Sequence, residues 1–265
     1  MNSLIKNPFK TVLNVSALVF GLLLLAAMLL GGTASLLIAC RLSKKENRKQ
    51  VGRIAIMRVF HNYLSIMNFL YIVRVDLSEL EKLDTERGLI LAPNHPSLLD
   101  ALLVSSRLRN MVCVMKSQVL DNILFGPGAK IAGYITNGSI RDMMHSAVDE
   151  LNEGNHVLLF PEGTRTTSDT VNHLTGSLAV ISKRAQADVQ TIIIETDTPF
   201  LGKTWSFLSV PDFPVHFRAR LGRRFAPPDN VKTFMSEFES YFRQEMIKSP
   251  SVLPRPSAES IQQLN

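Results

Sequence analysis

The chain has 265 residues, of which 46% are hydrophobic and 20% charged, with a formal net charge of +6. That length suits one catalytic domain plus a membrane segment. Two cysteines, Cys40 and Cys113, exclude a disulfide framework and a C-x-x-C zinc site; the positive charge lies in scattered clusters with no aromatic interleaving or recognised motif, so nucleic acid is not an expected partner.

The first predicted element is apolar. Residues 11–40 contain no charged side chain, and only Asn14, Ser16, Thr33 and Ser35 interrupt the run from Val12 to Cys40. The run exceeds the roughly 20 residues that span a bilayer and the roughly 7–15 of a cleaved signal-peptide core. Leu37-Ile38-Ala39-Cys40 also fits a lipoprotein cleavage site, but the length of the run and the basic residues after Cys40 favour a retained helix. Lys6 and Lys10 precede the run, whereas Arg41, Lys44, Lys45, Arg48, Lys49 and Arg53 follow it. The excess of positive charge on the C-terminal side predicts a cytoplasmic catalytic domain. Residues 1–40 are therefore expected to be a single-pass anchor in the inner (cytoplasmic) membrane.

Residues 41–75 read as a basic juxtamembrane and interfacial segment. Ile54–Val73 is mostly apolar, but Arg58 and His61 near its start favour a helix lying on the membrane or docked on the domain over a second span. An anionic lipid surface is the partner that these basic residues imply.

Residues 76–248 alternate short apolar runs with helical patterns. Strands are predicted at Leu89–Ala92, Met111–Met115, Gly133–Thr136, His156–Phe160, Thr191–Ile194 and Val215–Leu221. Helices are predicted at Leu98–Leu108, in parts of Gln118–Ile131 around Gly126-Pro127-Gly128, and at Leu174–Ala187. Met144, Ala147, Val148 and Leu151 recur at helical spacing, with Gly154 as the stop. A last helix, capped by Asp229 or Asn230, carries Val231, Phe234, Met235, Phe238 and Phe242 on one face. Residues 249–265 are polar and proline-containing, the composition of a loose tail. Strand–helix alternation predicts an α/β domain with a substantially parallel sheet.

Two loops carry chemistry. Asn94-His95-Pro96-Ser97-Leu98-Leu99-Asp100 puts a histidine and an aspartate across a proline turn. A positioned histidine removes the proton of a hydroxyl as it attacks a carbonyl, and a carboxylate on its other nitrogen fixes the tautomer. Such neighbours are common in loops, so spacing alone does not establish a dyad. About sixty residues later comes Phe160-Pro161-Glu162-Gly163-Thr164-Arg165. Gly163 allows close backbone approach, and Arg165 offers a planar fork to phosphate. Glu162 can orient Arg165 or bind a substrate hydroxyl. A polar turn with a surface ion pair is the plain alternative.

Asn-His-x-x-x-x-Asp followed by Phe-Pro-Glu-Gly-Thr-Arg resembles the lysophospholipid/glycerolipid acyltransferase superfamily, from about Leu89 to Ile194. The resemblance implies a glycerol-3-phosphate acyltransferase-like sheet with flanking helices, preceded by a transmembrane helix. It implies His95 as catalytic base, Asp100 as its partner, and Glu162, Gly163, Thr164 and Arg165 as acceptor-binding residues. It also implies an acyl thioester donor, acyl-CoA or acyl carrier protein, with direct attack, no metal and no cofactor beyond that co-substrate. The acceptor would be a membrane lipid of the lysophospholipid type, such as 1-acylglycerol 3-phosphate.

Two blocks depart from the family pattern. In Gly133-Tyr134-Ile135-Thr136-Asn137-Gly138-Ser139, Ser139 stands where arginine is usual and Arg141 lies two residues on. Gly133 and Arg141 are the substrate-binding candidates of this block. Its form is more similar to members associated with ornithine-type or aryl-polyene lipids. In Val189–Ile194, Gln190 and Ile193 replace the usual prolines.

A serine esterase built on Ser97 lacks the Gly-x-Ser-x-Gly elbow, so Ser97 reads as a turn residue or helix cap. A metal hydrolase is disfavoured because His95, His145, His156 and His173 lack ligand spacing. A non-catalytic membrane scaffold would keep the anchor and basic flank without needing His95.

Overall fold

The computed structural model describes residues 8–167, 172–206 and 209–248, so the expected tail at 249–265 lies outside them. The strands are β1 (Val73–Asp76), β2 (Ile90–Pro93), β3 (Met111–Met115), β4 (Ile135–Thr136), β5 (His156–Leu158), β6 (Val189–Thr196) and β7 (Val215–Phe225). They form one sheet in the order β1-β7-β6-β2-β5-β3-β4. All pairs are parallel except β6–β7, which is antiparallel. The helices are α1 (Pro8–Leu42), α2 (Arg48–Phe69), α3 (Asp100–Ser105), α4 (Ser117–Leu120), α5 (Gly126–Ile131), α6 (Ile140–Asn152), α7 (Ser177–Ala185) and α8 (Val231–Lys248).

Strand alternation divides the core into two layers. Leu91 of β2, Leu158 of β5 and Ile192 and Ile194 of β6 face α2 and α3, packing with Phe60, Leu64, Met67, Leu102 and Leu103. Ile90 and Ala92, Val157, and Val189 and Ile193 face α6, α7 and α8, with Ala147, Leu178, Phe238 and Phe242. The domain is thus a mixed α/β sheet covered on both faces. Asn230 caps α8 by accepting the N–H groups of Lys232 and Thr233. The segment Gly126-Pro127-Gly128 begins α5 instead of interrupting a helix, because proline in the first turn forfeits no intrahelical hydrogen bond.

α1 is long and apolar enough to cross a membrane. It does not stand clear of the domain. Its buried residues Asn14, Gly21, Leu29, Leu36 and Cys40 form one seam. Gly21 lies against Met67 and Gly32 against Val59, so α1 and α2 form an antiparallel pair. At its other end Asn14 donates through Nδ2 to Asp212 at 2.9 Å and accepts the N–H of Phe213, while Lys10 pairs with Asp212 at 3.3 Å. Its remaining surface is apolar and exposed, including Phe9, Val12, Leu13, Leu22, Leu23 and Ile38.

The docking of α2 depends on close approach. A side chain at Gly52 would meet the backbone of Ala132 at 2.9 Å. Arg53 enters the domain there, donating through Nε to the Ala132 carbonyl and through Nη2 to Glu150 of α6.

Candidate active site

β2 and β5 are parallel neighbours, with Ile90 opposite Val157 and Leu91 opposite Leu158. Their C-terminal ends therefore deliver both chemistry-bearing loops to the same sheet edge, the usual place for ligands in open parallel sheets. Asn94 fixes the first loop. Its buried amide exchanges two hydrogen bonds with the backbone of Ile194, accepting its N–H at 2.6 Å and donating to its carbonyl at 2.8 Å. A side chain thus takes the place of a ladder pair and clips the end of β2 to β6.

His95 and Asp100 then meet across the Pro96 turn. His95 Nδ1 lies 2.8 Å from Asp100 Oδ2. A carboxylate only accepts, so Nδ1 carries the proton and Nε2 is the basic nitrogen. Oδ2 also accepts the N–H of Ser97 at 2.8 Å. Asp100 is fully buried, and its Oδ1 has no hydrogen-bond partner among the described residues. Burial pushes the Asp100 carboxyl up, against the His95 ring and the Ser97 N–H, which pull it down. Ser97 itself is buried, with its hydroxyl donating to the Phe200 carbonyl at 3.0 Å and accepting the N–H of Leu99. That is the work of a turn residue.

The second loop grips the first. Glu162 is buried and accepts the backbone N–H of His95 at 3.3 Å and the Thr166 hydroxyl at 2.7 Å through Oε1. Its Oε2 accepts the N–H of Asn172 at 3.0 Å. The Thr166 N–H in turn reaches the His95 carbonyl at 2.8 Å. Both backbone polar groups of His95 are thus held by the second loop. The Phe160 ring stacks on the imidazole, with centroids 3.9 Å apart and planes at 24°. Gly163 is exposed at φ +63°, a conformation that suits glycine and turns the chain between Glu162 and Arg165. Thr164 lies beside it, half-buried.

Arg165 is held by a third loop that sequence reasoning did not identify. Its Nη1 donates to the carbonyls of Leu201 and Gly202 at 2.8 and 2.9 Å. The Leu201 carbonyl also accepts the N–H of Leu98. Leu201 adopts φ +56°, unusual for leucine, and this aims its carbonyl at both loops.

Of the remaining two candidates, Gly133 lies before its strand, whereas Arg141 follows the C-terminal end of β4, on the same sheet edge as the two loops but three strands from β2. Gly133 precedes β4, the outermost strand, on the side away from the strand's C-terminal end, and lies against the Lys49 side chain at φ +73°. It is a close-packing position for α2, not a neighbour of the dyad. Arg141 is exposed in the first turn of α6. Ser139, in the position where the pattern has arginine, caps that helix by accepting the N–H of Asp142. Gln190 bridges a β6–β7 irregularity, donating to the Gly222 carbonyl and accepting from Arg224. His156 is also structural: Nδ1 accepts the N–H of Leu89, and Nε2 donates to the Leu83 carbonyl. Among the described residues no group of three or more His, Cys, Asp or Glu side chains is arranged to hold a metal ion.

Asn94, Phe160, Thr166 and the Leu201–Gly202 carbonyls were missed from sequence. Asn94 and Phe160 do stand inside the two motifs, and strand alternation puts Phe160 on the same face as Leu158.

Residues 74–202 match the family model described as Acyltransferase. Comparison with curated proteins finds no match. Among solved structures, the crystal structure of the 1-acyl-sn-glycerophosphate (LPA) acyltransferase PlsC from Thermotoga maritima is similar, with a TM-score of 0.70 at 14% identity. The alignment covers 90% of this chain and 97% of that chain. At that identity the likeness is one of fold.

Proposed function

We propose that the protein, whose residues 74–202 match the Acyltransferase family model, moves a fatty acyl group from an acyl thioester to a hydroxyl of a lysophospholipid-type acceptor such as 1-acylglycerol 3-phosphate. The observation that carries this reading is the bond between His95 Nδ1 and the buried Asp100, which leaves Nε2 as the base. The acceptor O–H gives its proton to Nε2 as its oxygen bonds to the thioester carbonyl carbon. The tetrahedral intermediate then collapses. The C–S bond breaks, and the leaving sulfur takes the proton back from the imidazolium. Acyl-CoA and acyl carrier protein supply the same thioester chemistry.

The reading places the protein on a membrane, where acceptor and acyl chain partition. The exposed apolar sides of α1 and of Phe69, Leu70 and Tyr71 at the end of α2 support such a seat. A helix apolar on nearly all sides belongs in a protein interior or in lipid, and α1 buries only one seam. The basic residues from Arg41 to Arg53 suit an anionic headgroup layer such as a cytoplasmic leaflet presents, so the reading seats the protein on the cytoplasmic side of the inner membrane. The Asn14–Asp212 contact ties the far end of α1 to the domain, which favours a seat along the helix pair over one isolated crossing.

A second reading keeps the chemistry and changes the acceptor. Ser139 serves as a helix cap and offers no cation, which favours a non-glycerophosphate acceptor such as an ornithine-type or aryl-polyene lipid. One experiment tests the activity and sorts the acceptors. Membranes containing wild type or His95→Ala are supplied with acyl-CoA or acyl-loaded carrier protein and a panel of lysolipids, and the products are read by lipid mass spectrometry. One acyl ester that forms with wild type and not with His95→Ala is the expected result. Equal product from both would sink the general-base assignment.

A further inference from the structure

We propose that Phe160 is a positioning residue that fixes the plane of the His95 imidazole and leaves Nε2 as its one productive edge. The inference rests on His95 being the general base and adds a role for a residue outside the acceptor-binding set. The terminal torsion of a histidine is broad. The bond from Nδ1 to Asp100 pins one edge of the ring but leaves the ring free to rock about that contact. Phe160 removes this freedom by covering one face, at 3.9 Å and 24°.

Phe160 is itself well held. It follows β5, and alternation puts it with Leu158 in the core layer that also contains Leu102 and Leu103 of α3. Its carbonyl accepts the N–H of Gly163 at 3.1 Å, closing the turn beneath the ring. The same loop holds the His95 backbone through Glu162 and Thr166. The second loop thus secures His95 through its backbone and one ring face, while Asp100 secures the Nδ1 edge.

Two consequences follow. The acceptor hydroxyl must approach in the ring plane, along the Nε2 lone pair, and the Phe160 stack sets where that plane points. The aromatic face also attracts the imidazolium more than the neutral ring, so the contact strengthens when the proton is on His95.

The test uses the full-length chain in lipid nanodiscs, with Phe160→Tyr to keep the aromatic face and Phe160→Leu to remove it. Should Phe160→Leu not fold, Phe160→Met takes its place. Loosening a base by a fraction of its bond length lowers the rate of the chemical step more than it changes binding. Phe160→Leu should reduce kcat by about ten- to a hundredfold, with both KM values within about threefold of wild type. Phe160→Tyr should stay within about threefold of wild-type kcat. Equal kcat for the Leu and Tyr variants, or a rise in KM at unchanged kcat, would overturn the proposal.

A second readout needs no turnover. With histidines labelled at Cε1, the His95 resonance is identified by its absence from His95→Ala. Stacking shifts it upfield in wild type and Phe160→Tyr and not in Phe160→Leu. An unchanged resonance in Phe160→Leu overturns the stacking itself. Wild type that shifts as expected but acylates no acceptor would instead overturn the acyltransferase reading and keep the positioning of the ring.

Discussion

Asp100 Oδ2 accepts the Nδ1–H of His95 at 2.8 Å from a fully buried carboxyl group. The same oxygen accepts the Ser97 N–H, so the Pro96 turn and the dyad are one structure. Asp100→Asn keeps the volume but turns a donor toward one of these two N–H groups, or leaves the ring in the wrong tautomer. It should lower kcat by roughly 10³–10⁴-fold, as loss of the orienting carboxylate does in other dyads and triads. His95→Ala combined with Asp100→Asn should fall little below the worse single variant, since the pair acts as a unit. Initial rates beside thermal unfolding check this; additive losses would show that the two act separately.

Arg165 makes a different kind of contact. Its Nη1 is committed to the Leu201 and Gly202 carbonyls. Lysine has no planar fork with which to keep those carbonyls and meet a phosphate at once. Arg165→Lys should therefore raise KM for a phosphate-bearing acceptor by about tenfold or more, with a smaller change in kcat. An unchanged KM for the lipid that wild type prefers would favour the acceptor without phosphate. Steady-state kinetics on paired acceptors that differ in the phosphate decide between them.

The residues that announce themselves in the sequence are those whose chemistry is local. The His95–Asp100 pair lies across one turn, and the strand at Met111–Met115 is bounded as its apolar run predicts. β7 runs on to Phe225, past the predicted Leu221, because Arg223 and Arg224 are tolerated on a strand flanked by the acids Glu237 and Glu86. β1 was not foreseen: Val73–Asp76 is a short edge strand that pairs with β7, distant in sequence. Gly133 looked like a ligand-facing glycine, yet its left-handed backbone serves the approach of α2. Glu162 has the residue type of an acceptor contact, but both its oxygens receive protein donors. Partners brought together by the sheet leave no trace in spacing, which is why the grip of the second loop on His95 was invisible until the fold placed β2 beside β5.

His156 should make stability sensitive to mild acid. It is buried and neutral, and burial lowers its pKa from the ordinary histidine value. The unfolded chain takes up a proton near pH 6.5, whereas the folded chain does so only at lower pH. Unfolding therefore gains a proton in that window, and stability falls as pH drops from above 6.5 toward the lowered folded value. The slope for one proton is at most about 1.4 kcal/mol per pH unit. Thermal unfolding between neutral pH and pH 5 should show a steeper decline for wild type than for His156→Gln. Parallel curves would mean that another group carries the acid sensitivity.

The docking of α2 onto the catalytic domain depends on a buried charge. Arg53 donates to Glu150 at 2.7 Å with both side chains buried, and Lys49 and Asn155 complete the carboxylate's partners. Removing one member strands the other, so Glu150→Ala should destabilise the fold by about 3–5 kcal/mol. Replacing both with apolar residues, Arg53→Met with Glu150→Leu, should recover most of that loss, because the penalty for burying charge disappears with the charges. The Ala132 carbonyl would still lose its donor and the Asn155 amide its Glu150 acceptor, so recovery should stop short of wild type by about 1–3 kcal/mol. Denaturant unfolding in detergent measures both steps. α2 also carries α1 and packs against α3, whose first residue is Asp100. Glu150→Ala should therefore lower acyl transfer as well as stability, and the double variant should restore the two together. If stability returned without activity, the ionic pair would be setting the angle of α2 on the domain and not merely its attachment.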